Sequence, residues 1–539
     1  MTPAWDLVVV GSGFAGSILA MIARRLGHRV LLLERGRHPR FAIGESSSPL
    51  TGILLEQLAE RYNLPALASL ASYGAWQRAH PEVVCGLKRG FTFFSHQPGR
   101  RFGARPDRGD QLLVAASPND ELADTHWLRS DVDAWLVQQA VAMGVEYQDE
   151  TRVEVLDPRP DGIRLSVVRE GRRTTVDARG LVDATGPRGC VHKALGLPES
   201  TFDGYPGTQA LFTHFVDVER CDGLADYRLS PVSSGTSQPP PYPIDDAAVH
   251  HVFDGGWMWV LRFANGVTSA GVAVTDALAA DLRLADGEAA WLRLLARFPS
   301  LAAQFSRAQP IRPWQWQPRL AYRASQVVGD RWVMLPSAAA FVDPIFSTGF
   351  PLTLLGVERL AHLLEERLFV GAAATGASGA LAAYGATTLA EADHTARFVG
   401  GCYAAFSRFE VFADYSMFYF AVASFEEARR RLRPADRGFG FLAAQDARLA
   451  AEMVRLAPTT AGLVADGFAE QVARAIEPVN VAGLCRPHKA NWYGVDDEDL
   501  AAGAAKLGVS AEAVQRMLTS LGLSMPTRVP RAEPSGTAP

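Results

Sequence analysis

The run Asp6-Leu-Val-Val-Val10-Gly11-Ser-Gly13-Phe14-Ala15-Gly16, with Glu34 18 residues beyond Gly16, decides the fold. Asp6 to Val10 is short and β-rich, Ser17 to Leu26 has helical spacing, and His28 to Glu34 is β-rich again, which predicts strand, glycine turn, helix, strand. Gly11 permits the tight turn, Gly13 lets backbone approach a pyrophosphate at the helix N-terminus, and Gly16 allows close helix packing. Glu34, at the end of the second strand, accepts from ribose hydroxyls. A lone glycine triplet is weak evidence; in this context it is a dinucleotide fingerprint, with Phe14, Ala15 and Arg35 as further cofactor contacts. The motif alone does not separate FAD from NAD.

Strand-like stretches recur at Val153 to Leu156, Ile163 to Val168, Arg173 to Val176 and Gly180 to Asp183, and again at Arg331 to Leu335 before a helix from Gly349. The expected fold class is therefore α/β: a Rossmann-type dinucleotide-binding domain assembled discontinuously from residues 1–48, 125–200 and 311–370. Residues 49–124 and 201–310 are aromatic-rich insertions expected to form a substrate β-sheet with covering elements. A helical C-terminal region is expected over 371–523, and a Pro- and Ser-rich disordered tail over 524–539. Tyr403, Phe406, Phe409, Phe412, Tyr415 and Phe418 recur every three residues, read as an aromatic stripe along one helix that packs the core rather than forming a substrate lid. His250 and His251, adjacent on a strand, point to opposite faces, so no metal site is expected there or elsewhere.

Composition narrows the function classes. The 539 residues carry 53 basic and 58 acidic groups, a net charge of -5 that recruits neither nucleic acid nor an anionic membrane. Five cysteines without a CxxC argue against a disulfide framework or zinc site and fit a reducing cytoplasm. No run reaches the ~18 apolar residues of a membrane span, and a strand beginning at Asp6 leaves no room for a signal peptide. A cytoplasmic protein with no membrane span is expected. Among its many arginines the chain has only Lys88, Lys193, Lys489 and Lys506 as lysines, so a lysine inside an apolar segment draws notice.

Further motifs carry a resemblance. Leu181-Val-Asp183-Ala-Thr185-Gly186 and Trp127-Leu-Arg129-Ser-Asp131-Val-Asp133 resemble two flavin-contacting segments of the flavoprotein monooxygenase superfamily, which implies FAD and a cofactor contact for Arg129 and Val153. One fingerprint leaves no evident NADPH site, which favours FADH2 supplied by a separate flavin reductase. Gly44-Glu45-Ser46 resembles the flavin-side GES segment of flavin-dependent halogenases, and Lys88-Arg-Gly90-Phe-Thr-Phe-Phe94 is similar to the segment bearing their catalytic lysine. Trp257-Met-Trp259 looks like the motif that partitions flavin from substrate, with Leu261 and Arg262 in place of Ile and Pro. Phe341-Val-Asp343-Pro-Ile-Phe346-Ser-Thr348-Gly349 resembles the segment that holds halide on the amides of Thr348 and Gly349, with Asp343 and Gly349 toward the cofactor.

The resemblance implies that reduced flavin and O2 give a C4a-hydroperoxide, that chloride or bromide converts it to hypohalous acid, and that Lys88 passes the halogen to an electron-rich aromatic ring. Phe346 stands where tryptophan halogenases carry glutamate, which implies the phenol, pyrrole or polyketide branch, with a small-molecule or carrier-bound substrate. Pro336-Ser337 replaces a Gly-Asp pair expected on the ribityl chain, implying weakly held, exchangeable FAD. Arg262 and the missing Gly-Asp leave direct hydroxylation open as an alternative. A flavin saturase and a non-catalytic flavin-binding partner are others.

Overall fold

A computed structural model describes residues 4–228, 239–366, 368–369, 379–434, 440–459 and 467–523. The expected tail, and most of the Ser233–Pro243 loop, lie outside the described residues. The chain opens with β1 (Trp5–Val10), α1 (Phe14–Arg25) and β2 (Val30–Leu33), then α2 (Pro49–Tyr62). Next come β3 (Cys85–Lys88), β4 (Gly90–Ser95), β5 (Gln111–Ala115), β6 (Asp124–Trp127), α3 (Arg129–Ala142) and β7 (Glu146–Gln148). The strands β8 (Thr151–Arg159), β9 (Gly162–Arg169) and β10 (Arg172–Asp183) follow, and then β11 (Thr208–Val216), β12 (Ala248–Phe253), β13 (Gly256–Arg262) and β14 (Thr268–Thr275). Last are β15 (Trp332–Met334), α4 (Gly349–Glu365), α5 (Gly379–Ala405), α6 (Phe409–Leu432) and β16 (Trp492–Tyr493).

The first sheet has the parallel order β15-β10-β1-β2-β7, with β9 paired antiparallel onto the early half of β10 and β8 onto β9. Arg173–Val176 and Gly180–Asp183, read as separate strands, are one strand: β9 pairs with the first half and β1 with the second. β1, β2, β10 and β15 end at the same edge, so the Gly11 turn, Glu34, Ala184 and Leu335 border one crevice, where doubly wound sheets take their ligands.

The two insertions build a single second sheet, ordered β11-β14-β13-β12-β4-β5-β16. The C-terminal region is thus not purely helical, because Trp492 and Tyr493 pair in parallel with Leu113 and Val114. Alternation along these strands gives the sheet two apolar faces. Phe93, Trp257 and Trp259 turn into the main core shared with the cofactor domain, while Phe94 and Met258 enter a second core beneath residues 276–305. His250 and His251 likewise face opposite ways: His250 stacks on Phe93 at 4.4 Å, and His251 Nδ1 lies 2.9 Å from His96 Nε2. Among the described residues no cluster of three potential metal ligands forms, no helix is long and apolar enough to cross a membrane, and all five cysteines are free.

The aromatic stripe is buried but does not lie along one helix. α5 ends at Ala405 and α6 starts at Phe409, with Phe406 in the turn. Steps of three residues drift by about 60° each around a helix, so six such residues cannot share a face. All six are buried, and the four on α6 are so despite that drift because α6 is covered on nearly every side. Glu391 of α5 fastens this region to the cofactor domain: it pairs with both terminal nitrogens of Arg359 on α4, one at 2.7 Å, and accepts from Phe441 N–H at 2.9 Å. Glu391→Ala strands a mostly buried arginine and should cost about 3 kcal/mol, read as a lower urea midpoint at unchanged m-value.

Candidate active site

At the crevice, Gly11 has φ +99° and a Cβ there would lie 2.6 Å from the Ala184 carbonyl oxygen, so the turn rests directly on the Ala184-Thr185-Gly186 segment. Gly13 caps α1, and a Cβ on it would meet Arg129 Nη2 at 3.3 Å. Arg129 forms a bidentate pair with Asp133, both bonds 2.8 Å, and donates to the carbonyls of Ile43 and Gly44 at 3.0 and 2.9 Å. Its guanidinium lies 5.0 Å from the Phe14 ring centre. The segments containing Gly13, Phe14, Gly44 and Arg129, distant in sequence, therefore meet. Glu34 accepts from Ser12 N–H and hydroxyl at 3.1 and 3.0 Å, from Arg40 at 3.2 Å and from Gly36 N–H at 3.0 Å. Burial pushes its carboxyl up, but Arg40 and these donors prevail and hold it below the ordinary range.

Sequence reading missed Ser12, His38 and Arg40. His38 Nε2 lies 2.8 Å from Ser12 Oγ, and both His38 Nδ1 and Arg40 Nε are buried without a protein partner. The Arg37-His38-Pro39-Arg40 run, starting three residues after Glu34, was the available signal. Arg35 is exposed, while Val153 is half-buried in β8 opposite Val167, beside a bulge. Ala15 is buried within α1.

The second half of the site is built on a two-stranded ribbon. β3 and β6 pair so that Lys88 stands opposite Asp124, and the Gly44–Ser48 loop lies along β6 through Ser47 N–H to Thr125 O at 3.1 Å and Trp127 N–H to Glu45 O at 2.6 Å. Glu45 pairs its carboxylate with His214 at 2.8 Å. Lys88, expected as the catalytic lysine, is fully buried: its Nζ donates to Ser47 O and, at 3.1 Å, to Ser347 Oγ, and lies 3.9 Å from the Phe91 ring centre. Burial lowers its pKa to about 8, against the pull of Asp124 and Glu427. Asp124 is raised by burial to about 7, against the pull of Lys88.

Ser347 belongs to the turn before α4 and accepts from Lys88 while donating to Ser46 Oγ at 2.9 Å, so the lysine, GES and glycine-turn segments share one junction. Phe346 and Ser347 both have left-handed backbone, φ +61° and +56°, a conformation costing about 1–3 kcal/mol per residue unless held. Tyr419 of α6 holds it by donating to Phe346 O at 2.7 Å. Thr348 then caps α4 and Gly349 is its first residue, with open space where a side chain would sit. Their N–H groups precede the first intrahelical donor, the Leu352 N–H, which bonds to Thr348 O at 3.3 Å.

The carboxylate of Asp343, a residue expected toward the cofactor, accepts from four protein donors. Oδ1 accepts from Trp257 Nε1 at 3.2 Å and Ile345 N–H at 2.9 Å, and Oδ2 from the hydroxyls of Tyr205 at 2.9 Å and Tyr403 at 2.8 Å. Trp257 and Trp259 share a face, their rings 5.7 Å apart. Arg262, on the opposite face of the same strand, donates to Val218 O at 2.9 Å and pairs with Asp245 at 3.3 Å.

The family model for FAD-dependent oxidoreductases matches residues 6–315. The chain belongs to that family. Among curated members it is 31% identical to monodechloroaminopyrrolnitrin halogenase PrnC of Pseudomonas fluorescens, over 68% of this chain and 62% of that protein. It is 32% identical to tetracycline 7-halogenase of Kitasatospora aureofaciens, over 68% and 64% of the respective lengths. The match thus spans less than two thirds of either relative. In fold, the chain superposes on halogenase PltM in complex with phloroglucinol and FAD with TM-score 0.70, at 24% identity and 96% coverage of both chains.

FAD, the family's cofactor, fits the residues present. A glycine cradle ringed by the orphaned nitrogens of His38 and Arg40 suits a diphosphate, and Glu34 keeps acceptor capacity for a ribose. Gly13→Val would fill the cradle and crowd Arg129. It should abolish flavin retention by gel filtration while far-ultraviolet circular dichroism stays native; wild-type flavin affinity in this variant would exclude the cradle as the cofactor site.

Proposed function

We propose that this family member is a halogenase that uses reduced FAD, O2 and chloride or bromide to halogenate an electron-rich aromatic ring. The observation that carries the reading is the junction at Ser347, where Lys88 touches both the loop that lines the cofactor crevice and the turn that opens α4. The relatives named for halogenating aminopyrrolnitrin and tetracycline skeletons support it. When bound, FADH2 from a separate flavin reductase would react with O2 to supply the peroxide-level, two-electron oxidant that converts halide to hypohalous acid, the second oxygen atom leaving as water. The amides of Thr348 and Gly349 hold the halide at the helix N-terminus. Trp257, Trp259 and Phe346 wall the crevice from the substrate and exclude water. Lys88, its amine partly neutral near pH 8, hydrogen-bonds hypohalous acid or takes its halogen, and presents it to the ring. Arg262, whose replacement of proline pointed to hydroxylation, turns its guanidinium to Asp245, so that alternative rests on Pro336-Ser337 alone.

The test combines protein, FAD, a flavin reductase, NADH and bromide with phenols and pyrroles under mass spectrometry. Bromine isotope doublets are expected; a 16-dalton gain would indicate a hydroxylase and a 2-dalton gain a saturase. Lys88→Ala should lose halogenated product while flavin reoxidation continues, and Lys88→Arg should fail as well because a guanidinium stays protonated. Retained halogenation in both variants would return Lys88 to a packing role.

Product formed per hypohalous acid trapped should rise with pH up to about 8 and then level off. That sign follows from a base whose neutral form acts: below its depressed pKa the free amine falls about tenfold per pH unit. Free tryptophan should not turn over, since Phe346 offers no carboxylate to an indole; efficient turnover would refute the phenol and pyrrole assignment.

A further inference from the structure

Lys88 is surrounded by ionisable side chains to which the halogen-transfer step gives no role. Across the ribbon Asp124 is its direct partner in the antiparallel register, so the two side chains leave the same face from Cβ atoms about 4.5–5.5 Å apart. Both residues are buried, and Asp124 Oδ2 has no hydrogen-bond partner. The lysine directs its own donors elsewhere, to Ser47 O, Ser347 Oγ and the face of the Phe91 ring. The carboxyl group therefore acts on the amine by charge and not by contact. In a desolvated site that action is strong, because little water screens it.

Among the described residues, the other groups facing this pair keep one charge state where the amine titrates. Burial holds His126, two residues from Asp124 on β6, and His250 on β12 at about 3, so both imidazoles are neutral. Glu427 on α6 is pushed well above the ordinary carboxyl range by burial and is an uncharged acid at neutral pH. Arg431, one turn further along α6, is always charged and pairs with Glu56 at 3.0 Å. Asp124 differs from all of these. Burial raises it to about 7 against the pull of Lys88 and Arg431, and the amine, lowered by burial, titrates at about 8. The carboxylate has thus formed by the pH at which the ammonium gives up its proton.

We propose that Asp124 is a positioning residue for Lys88: its carboxylate, fixed across the β3–β6 ribbon, holds the ammonium charged at neutral pH and so sets the pH at which the free amine appears. An opposite charge at this range raises an amine's pKa by about one unit or more, so removing it makes the free amine about tenfold more abundant at pH 7. The catalytic meaning of this control rests on the halogenase reading, whereas its effect on Lys88 does not.

With only four lysines in the chain, the amine can be observed directly. FAD-loaded full-length protein carrying carbon-13-labelled lysine is titrated by NMR, the Lys88 Cε signal being assigned by its loss in Lys88→Arg. In wild type that signal should show its main inflection near pH 8 and a smaller one near pH 7, where Asp124 charges. Asp124→Asn, close to isosteric, should abolish the smaller inflection and move the main one down by about one pH unit, and Asp124→Ala should do the same. The rising limb of brominated product per hypohalous acid trapped should move down with it. A main inflection that stays in place in both variants, or a wild-type signal with no inflection near pH 7, overturns the proposal; the second of these needs no variant to fold. If Lys88 shifts as stated while wild type and variants alike form no brominated product, the control by Asp124 stands and the halogenase reading falls.

Discussion

The carboxylate of Asp343 is the constraint on which the site depends. Its four donors come from four parts of the chain: Trp257 on β13, Tyr205 ahead of β11, Tyr403 on α5 and the Ile345 amide in the turn before α4. A fully buried carboxyl is costly, and burial raises this one to about 6 despite the donors. An acid with a raised folded pKa favours the fold at low pH and loses that contribution as pH rises from its unfolded value near 4 through about 6, so at neutral pH the hydrogen bonds alone must offset the desolvation. In return, the second sheet, the C-terminal helices and the strained Phe346-Ser347 turn are fixed relative to one another.

That turn sets the geometry of everything chemical. Two consecutive left-handed residues aim Ser347 at Lys88 and Ser46 while directing the chain into α4. Neither residue is glycine, so surrounding contacts must hold the conformation, and Tyr419 and Asp343 do so from either side. The C-terminal region is thus part of the active-site architecture.

The second sheet separates two environments. On its inner face the tryptophan pair, Phe93 and His250 pack toward the turn and α6; on its outer face a largely apolar core surrounds the His96–His251 pair, with buried Gln304 beside His251. Desolvation holds both of these histidines and His250 far below the ordinary imidazole range, which keeps them neutral and the sheet uncharged near the reacting groups.

Local spacing in the sequence determined the βαβ unit with its glycine turn at Gly11–Gly16 and the parallel strands that return at Gly180–Asp183 and Trp332–Met334, and it singled out Lys88, because turn glycines, β-runs and a lysine in an apolar strand each leave a short-range signature. The halogenase-like segments were legible for the same reason, and the curated relatives agree with that resemblance. Tertiary structure alone decided that the Asp343 carboxylate accepts from four protein donors, that Arg262 turns to Asp245, and that the aromatic stripe breaks between two helices. These depend on which donors and walls are brought within a few ångströms by elements far apart in the chain, and no periodicity or local motif encodes such a meeting.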